Sequence, residues 1–159
     1  MTMKLLILNG PNLNMLGIRE PGIYGNETYA DLCSKIERFA EENGIETEFS
    51  QSNHEGVLVD EIQRAYFEHF DGIVINPGAY THTSIALLDA VKSVKLPAVE
   101  VHISKVDERE PFRKISYLRA ACIAVVSGLG TDGYLRAVEI LRDHILNKNA
   151  DANGKEKAE

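Results

Sequence analysis

Two pairs of side chains in this sequence have the types and spacing of acid–base chemistry. Arg19 and Tyr24 lie close together in a segment rich in glycine and proline, and Glu100 and His102 close a short apolar run. A phenol with a pKa near 10 is too weakly acidic to act as a base at neutral pH. A guanidinium about 4 Å away would favour the phenolate by about 4 kcal/mol at an effective dielectric near 20. That corresponds to about three pKa units before the opposing cost of burial. From the pair alone, a surface arginine and an aromatic plug in a loop remains the competing reading. Residues two apart on a strand share a face, so Glu100 would orient the His102 imidazole and favour its protonated form. A general acid needs that form; the competing reading is a structural ion pair.

Further polar groups cluster at similar places. The stretch Asn76-Pro77-Gly78-Ala79-Tyr80-Thr81-His82-Thr83 turns sharply and offers donors from Asn76, His82 and nearby amides, ahead of a helix whose positive end faces the same way. A capped turn with an incidental histidine is the alternative there. Ser104 and the Ile103 amide could hold an anion, with Arg109 and Arg113 nearby in sequence. His54 reads as a turn stabiliser or a neighbour of the loop after the first strand, and His69 and His144 as helix-surface or packing residues. His82, His102 and Glu100 are permissible zinc ligands, but no HxH or HExxH spacing supports a metal site. The stretch Gly128–Gly133, GLGTDG, fits a phosphate-loop pattern. It follows the last strand rather than the first, and reads better as a tight turn with a helix cap.

These groups need elements to position them. Lys4–Leu8 is an apolar run typical of a strand buried on both faces. Thr28 caps a predicted helix reaching about Asn43, with Tyr29, Leu32, Cys33, Ile36, Phe39 and Ala40 at helical spacing. Residues 45–51 form a second strand, and Val59, Ile62, Tyr66 and Phe70 a second helical stripe. Residues 72–76 are a third strand. Thr81 or Thr83 caps the next helix, which carries Ile85, Leu88, Val91 and Val94. Residues 97–102 are a fourth strand, 103–113 a loop, 116–121 a short helix and 122–127 a fifth strand. Tyr134, Val138, Leu141 and Ile145 mark the last helix. Strands alternating with helices imply an α/β three-layer sandwich, flavodoxin-like, with a five-stranded parallel sheet in the order 2-1-3-4-5 and helices on both faces. Ligands in such sheets bind beyond the carboxyl ends of the strands at the switch point, where Asn12, Asn76 and His102 fall. Residues 9–27 join the first strand to its helix where about 2–6 residues are usual, so this segment reads as a hinged lid. Residues 1–147 are expected to be one catalytic domain and 148–159 a disordered tail.

The 159 residues suffice for one domain. A formal net charge of −7 argues against nucleic acid and anionic membranes as partners. No run approaches the length of a membrane span, and Leu5–Leu8 is too short for the apolar core of a leader. Cys33 and Cys122 are neither paired nor clustered and read as buried thiols, with cytoplasm as the expected compartment.

Five stretches in order, ILNGPNLNMLGIREPGIYG, SQSNHEGVLVDEIQ, INPGAYTHTSIALLDA, PAVEVHIS with REPFRKIS, and SGLGTDGY, resemble the type II 3-dehydroquinate dehydratases. The resemblance implies a flavodoxin-like fold and dehydration of 3-dehydroquinate to 3-dehydroshikimate by anti elimination through an enolate, in the shikimate pathway or in quinate breakdown. It also implies no cofactor and a homododecamer built as a tetramer of trimers. Carried onto this sequence, it makes Tyr24 the base and Arg19 its activator. Asn12 orients an enolate-stabilising water, His102 is the acid and Glu100 tunes it. Asn76, His82, Ile103, Ser104 and Arg113 resemble the substrate-holding set, Asp89 reaches a neighbouring subunit's site, and Arg109 matches a loop arginine. Removing a proton beside a ketone needs a base and a means of holding enolate charge, and expelling hydroxide needs an acid. No lysine stands at an apolar strand end to form a Schiff base.

Two other classes share the fold. A flavin- or nucleotide-binding module should carry a short, serine- and threonine-rich loop after the first strand, unlike the loop here with Pro11 and Pro21. A phosphoacceptor receiver needs an aspartate closing the third strand, where Asn76 stands.

Overall fold

A computed structural model describes residues 2–156; the side chains of Tyr24 and Glu156 lie outside the described residues. Its sheet consists of β1 (Met3–Asn9), β2 (Ile45–Gln51), β3 (Gly72–Asn76), β4 (Ala98–His102) and β5 (Ala124–Ser127). All pairings are parallel and the order is β2-β1-β3-β4-β5. This is the flavodoxin-like arrangement, with the switch point between β1 and β3. The connections carry α1 (Pro21–Tyr24), α2 (Tyr29–Glu42), α3 (Glu55–Phe67), α4 (Ile85–Val94) and α5 (Asp132–Glu156).

The alternation of β1 side chains divides the core. Leu5 and Ile7 pack with Leu32, Ile36, Val138 and Leu141 on the face covered by α2 and α5. Leu6 and Leu8 pack with Leu58, Ile62, Leu87 and Val91 on the face covered by α3 and α4. Each of these side chains is essentially excluded from solvent, a contribution of about 1.5–3 kcal/mol apiece. A strand so committed on both faces holds its end rigidly, and Asn9 stands in register beside Asn76.

The two strand ends also touch through backbone. The Gly10 amide donates to the Asn76 carbonyl at 2.7 Å, and a Cβ on Gly10 would lie 2.5 Å from the Pro77 carbonyl oxygen. Only glycine fits that approach.

Several expectations shift. Thr28 caps α2 through a reciprocal capping box with Asp31, but α4 is capped by Ser84, whose hydroxyl accepts from the Leu87 amide, rather than by Thr81 or Thr83. The inward face of α3 is Leu58, Ile62 and Ala65, which turns Tyr66 outward to 53% exposure; Phe70 reaches the core from beyond the helix end. On α4 the buried side chains are Leu87, Ala90, Val91 and Val94, and Ile85 is exposed. His69 lies past α3 in a left-handed turn (φ 60°), not within a helix. Residues 103–121 contain three short 3-10 turns, Val106–Glu108, Pro111–Lys114 and Leu118–Ala121, and β5 begins at Ala124 rather than at 122. Cys33 and Cys122 are half-buried. Residues 148–156, expected to be disordered, continue α5 as helix. Lysine and alanine there favour helix locally, while the side chains of 148–155 stay exposed and add nothing to the core. The last three residues of the expected tail lie outside the described residues.

Candidate active site

The segments after β1, β3 and β4 meet in one cleft at the carboxyl edge of the sheet. It is lined by Pro11, Asn12, Leu13, Leu16 and Arg19 from the first, and by Asn76, Gly78, Ala79 and His82 from the second. His102, Ile103, Ser104, Val106, Arg109 and Arg113 come from the third. The cleft thus brings together Asn12, Arg19, Asn76, His82, His102, Ile103, Ser104 and Arg113, with Arg109 beside them. Glu100 lies just beneath the lining. Asp89 sits exposed on α4 and is not among the lining residues. The Tyr24 side chain falls outside the described residues; its backbone ends α1, in the loop that also carries Arg19.

Glu100 is fully buried. Its Oε1 accepts from the Thr81 hydroxyl in a short contact and from the Ser116 hydroxyl at 2.8 Å, and lies 3.1 Å from His102 Nε2. Burial alone would raise the Glu100 pKa. The His102 imidazole, followed by the Thr81 and Ser116 hydroxyls, outweighs burial and holds the carboxyl below its ordinary range. The His102–Glu100 approach has ion-pair distance without hydrogen-bond alignment. Among the described residues, the buried side-chain polar atoms with no hydrogen-bond partner are Glu100 Oε2, His102 Nε2 and Ser104 Oγ. All three belong to one strand end and its extension. Such groups cost about 1–3 kcal/mol each; His102 Nε2 lies against the Glu100 carboxylate, and Ser104 belongs to the cleft lining.

Asn12 adopts a left-handed conformation (φ 71°). The Asn53 side chain holds it there: Asn53 Oδ1 accepts from the Asn12 amide at 3.0 Å and from Gln51 Nε2 at 3.2 Å. Gln51 also donates to the Gly10 carbonyl, and the Tyr80 hydroxyl donates to the Asn53 carbonyl at 2.7 Å. The turn after β2 therefore steadies the Asn12 segment through Gln51 and Asn53. The exposed His54 contributes its backbone amide, which donates to Ser52 Oγ.

On the β3 side, His82 Nδ1 lies 2.5 Å from the Ile115 carbonyl. A carbonyl only accepts, so Nδ1 carries the proton and Nε2 is the nitrogen left for a ligand. Asn76 is held from below by Tyr134, whose hydroxyl also bonds Asn9. On the β4 side, Arg113 Nε donates to Glu110 at 2.6 Å. The Glu110 carboxyl sits below its usual range, through its own backbone amide first and Arg113 next. The glycine-rich turn after β5 grips this segment: the amides of Gly128 and Gly130 donate to the carbonyls of His102 and Ile103, and Ser127 Oγ to that of Ser104. That turn is a clamp on the Ile103–Ser104 backbone, a use the pattern GLGTDG alone does not reveal.

The loop carrying Arg19 has a narrow neck. Gly17 (φ 83°) packs so closely on the returning chain that a Cβ there would meet the Asn26 and Glu27 carbonyl oxygens at 3.2 and 3.3 Å. The return root is fixed further by Thr131, whose hydroxyl donates to Glu27 and accepts from Lys35 Nζ.

Three guanidinium groups, two imidazoles and a serine hydroxyl facing one small cleft suit an anionic, hydroxylated ligand. The buried carboxylate behind His102 suits proton transfer to it. Sequence reasoning missed Asn9, Gln51, Asn53, Thr81, Ser116 and Tyr134. The register of Asn9 with Asn76 and the excess of side-chain amides at strand ends were the available signals. No group of three or more histidine, cysteine or acidic residues able to hold a metal ion occurs among the described residues.

A family model described as dehydroquinase class II matches residues 3–142. The 3-dehydroquinate dehydratase of Caldicellulosiruptor bescii is 53% identical over 140 residues, covering 88% of this chain and 97% of that protein. That of Clostridium beijerinckii is 51% identical over 146 residues, 92% of this chain and all of the relative. The crystal structure of a type II dehydroquinase from Butyrivibrio crossotus superposes with a TM-score of 0.88 at 53% identity, over 89% of this chain and 98% of that one.

Proposed function

Since the chain belongs to the class II dehydroquinase family, we propose that the cleft residues carry out that family's elimination as follows. The protein is a hydro-lyase that dehydrates 3-dehydroquinate to 3-dehydroshikimate. Tyr24, ionised with the help of Arg19, takes the proton from the carbon beside the substrate ketone. The electron pair moves to the ketone oxygen as an enolate, and Asn12 holds a water against that oxygen. The enolate then collapses, the carbon–oxygen bond to the departing hydroxyl breaks on the opposite face, and His102 delivers a proton so that water leaves. Glu100 orients His102 and balances its charge. Asn76, His82, the Ile103–Ser104 segment and Arg113 hold the substrate's carboxylate and hydroxyls, with Arg109 closing the rim.

One observation carries this reading. Asn12, Arg19, Asn76, His82, His102, Ser104 and Arg113 share one cleft, with a buried carboxylate 3.1 Å behind the imidazole. Asp89 is read as a contribution to a neighbouring subunit's site in a homododecamer built as a tetramer of trimers, supported by its exposure on α4. The shikimate pathway, with quinate breakdown as the other metabolic setting, and a cytoplasmic location belong to the same reading. No helix among the described residues is long and apolar enough to cross a membrane.

Purified protein given 3-dehydroquinate in the presence of a chelator should develop enone absorbance at an undiminished rate. Tyr24→Phe and His102→Ala should each lose about 10²–10⁴-fold in kcat while keeping a cooperative thermal transition. Ordinary turnover in folded Tyr24→Phe would overturn the base assignment, and loss of activity in chelator would overturn the metal-free mechanism.

A further inference from the structure

Beneath the cleft runs a buried hydrogen-bond chain that joins the ends of β1 and β3 to α2 and α5. Its direction can be read from its one unambiguous donor. The Gly78 amide donates to Asn76 Oδ1 at 3.1 Å, so Asn76 must present Nδ2 to Tyr134, 2.9 Å away. The Tyr134 oxygen accepts there and its proton goes to Asn9 Oδ1 at 2.6 Å. Asn9 then turns Nδ2 toward the Tyr29 hydroxyl at 3.4 Å. Each link admits only one donor–acceptor assignment once the one before it is fixed. Tyr134 and Asn9 are wholly excluded from solvent, and Asn76 is 4% exposed. Neither Tyr134 nor Asn9 lines the cleft; Asn76 does.

We propose that Tyr134 and Asn9 are positioning residues for substrate binding: by reinforcing the flip state of Asn76 that the Gly78 amide selects, they leave it one N–H and one oxygen lone pair for a substrate hydroxyl. This rests on Asn76 belonging to the substrate-holding set. A hydroxyl both donates and accepts, and a locked amide offers it both partners without reordering on binding. Burial raises the Tyr134 pKa far above that of a free phenol, so the relay stays neutral throughout the working pH range. If Tyr134 loses its oxygen, Asn76 Nδ2 has no buried partner and the Gly78 amide alone holds the flip state. If Asn9 loses its acceptor, the phenol proton has only Asn76 to turn to, which favours the opposite flip and competes with Gly78.

The test compares Tyr134→Phe, Asn9→Leu and Asn76→Ala for KM, kcat and thermal midpoint with 3-dehydroquinate. Tyr134→Phe and Asn9→Leu should each raise KM roughly three- to tenfold with kcat within about twofold, and Asn76→Ala should raise KM at least as much. The two relay variants remove different atoms, so a folding failure in one leaves the other as the test. The relay is overturned, as mere core packing, if the folded relay variants lower the midpoint but keep the parental KM while Asn76→Ala raises it. If Asn76→Ala itself leaves KM unchanged, the assignment of Asn76 fails and the proposal with it.

Discussion

Replacing Glu100 by glutamine removes one charge and little else. The amide oxygen can still accept from Thr81 and Ser116, and the volume is unchanged, so the effect should report the charge 3.1 Å from His102 Nε2. At an effective dielectric near 20, two unit charges at that distance attract by about 5 kcal/mol. The carboxylate's own burial cost offsets part of this, and breaking a buried pair from one side costs about 3–5 kcal/mol. If roughly half of that is felt as lost stabilisation and orientation of the acid form of His102, kcat falls by about 10- to 10²-fold, with KM little altered. Stability gives an independent readout. Glu100 is held below the ordinary carboxylate range, so its contribution is full above the unfolded value of about 4.3 and lost as pH falls through the lower folded value. The parent's stability advantage over Glu100→Gln should therefore shrink only in that acid window. The measurements are enone progress curves at neutral pH and thermal melts extended into acid. A folded Glu100→Gln enzyme with kcat within about threefold of the parent would refute the reasoning.

Two further outcomes follow from backbone positions. Gly10→Ala places a methyl 2.5 Å from the Pro77 carbonyl oxygen, so β1 and β3 must part at their ends. Stability should fall by about 1–3 kcal/mol, or roughly 3–10 °C in the thermal midpoint, and an unchanged melt would contradict the tight approach. Asn53→Ala removes the acceptor holding the left-handed Asn12. Turnover should fall about three- to tenfold through lost positioning while the midpoint changes little; a melt that drops with unaltered kcat would assign Asn53 to structure alone.

The fold was legible because burial on both faces leaves strands as continuous apolar runs, as in Leu5–Leu8 and Ile73–Ile75, all fully buried. The charged pair Glu100 and His102 was conspicuous for the same reason. Helix faces were less legible. On α3 the aromatic Tyr66 fits the stripe by spacing, but the surface that meets the sheet is set by Leu58, Ile62 and Ala65, and small alanine carries no strong signal. Cap identity failed similarly. Thr81 is a plausible cap by type, yet its hydroxyl is committed to Glu100 across 19 positions, and Ser84 takes the cap. Tyr134 reads as one more aromatic in the α5 stripe; its ring does pack in the core. Only the three-dimensional register of Asn9 and Asn76 shows that its oxygen serves the cleft. Long-range polar pairing leaves no periodicity in a sequence, so this layer was hidden.

The neck at Gly17 has a consequence for how this chain can vary. Chain entering and chain leaving the Arg19 segment touch there, and Thr131 ties down the exit with Glu27. Whatever lies between behaves as a cassette on a closed frame: lengthening, trimming or exchanging it changes little in the distance its ends must span. The sheet and its buried helices can stay constant while the piece delivering Arg19 and Tyr24 is rewritten, so reactivity and architecture are free to diverge at separate rates.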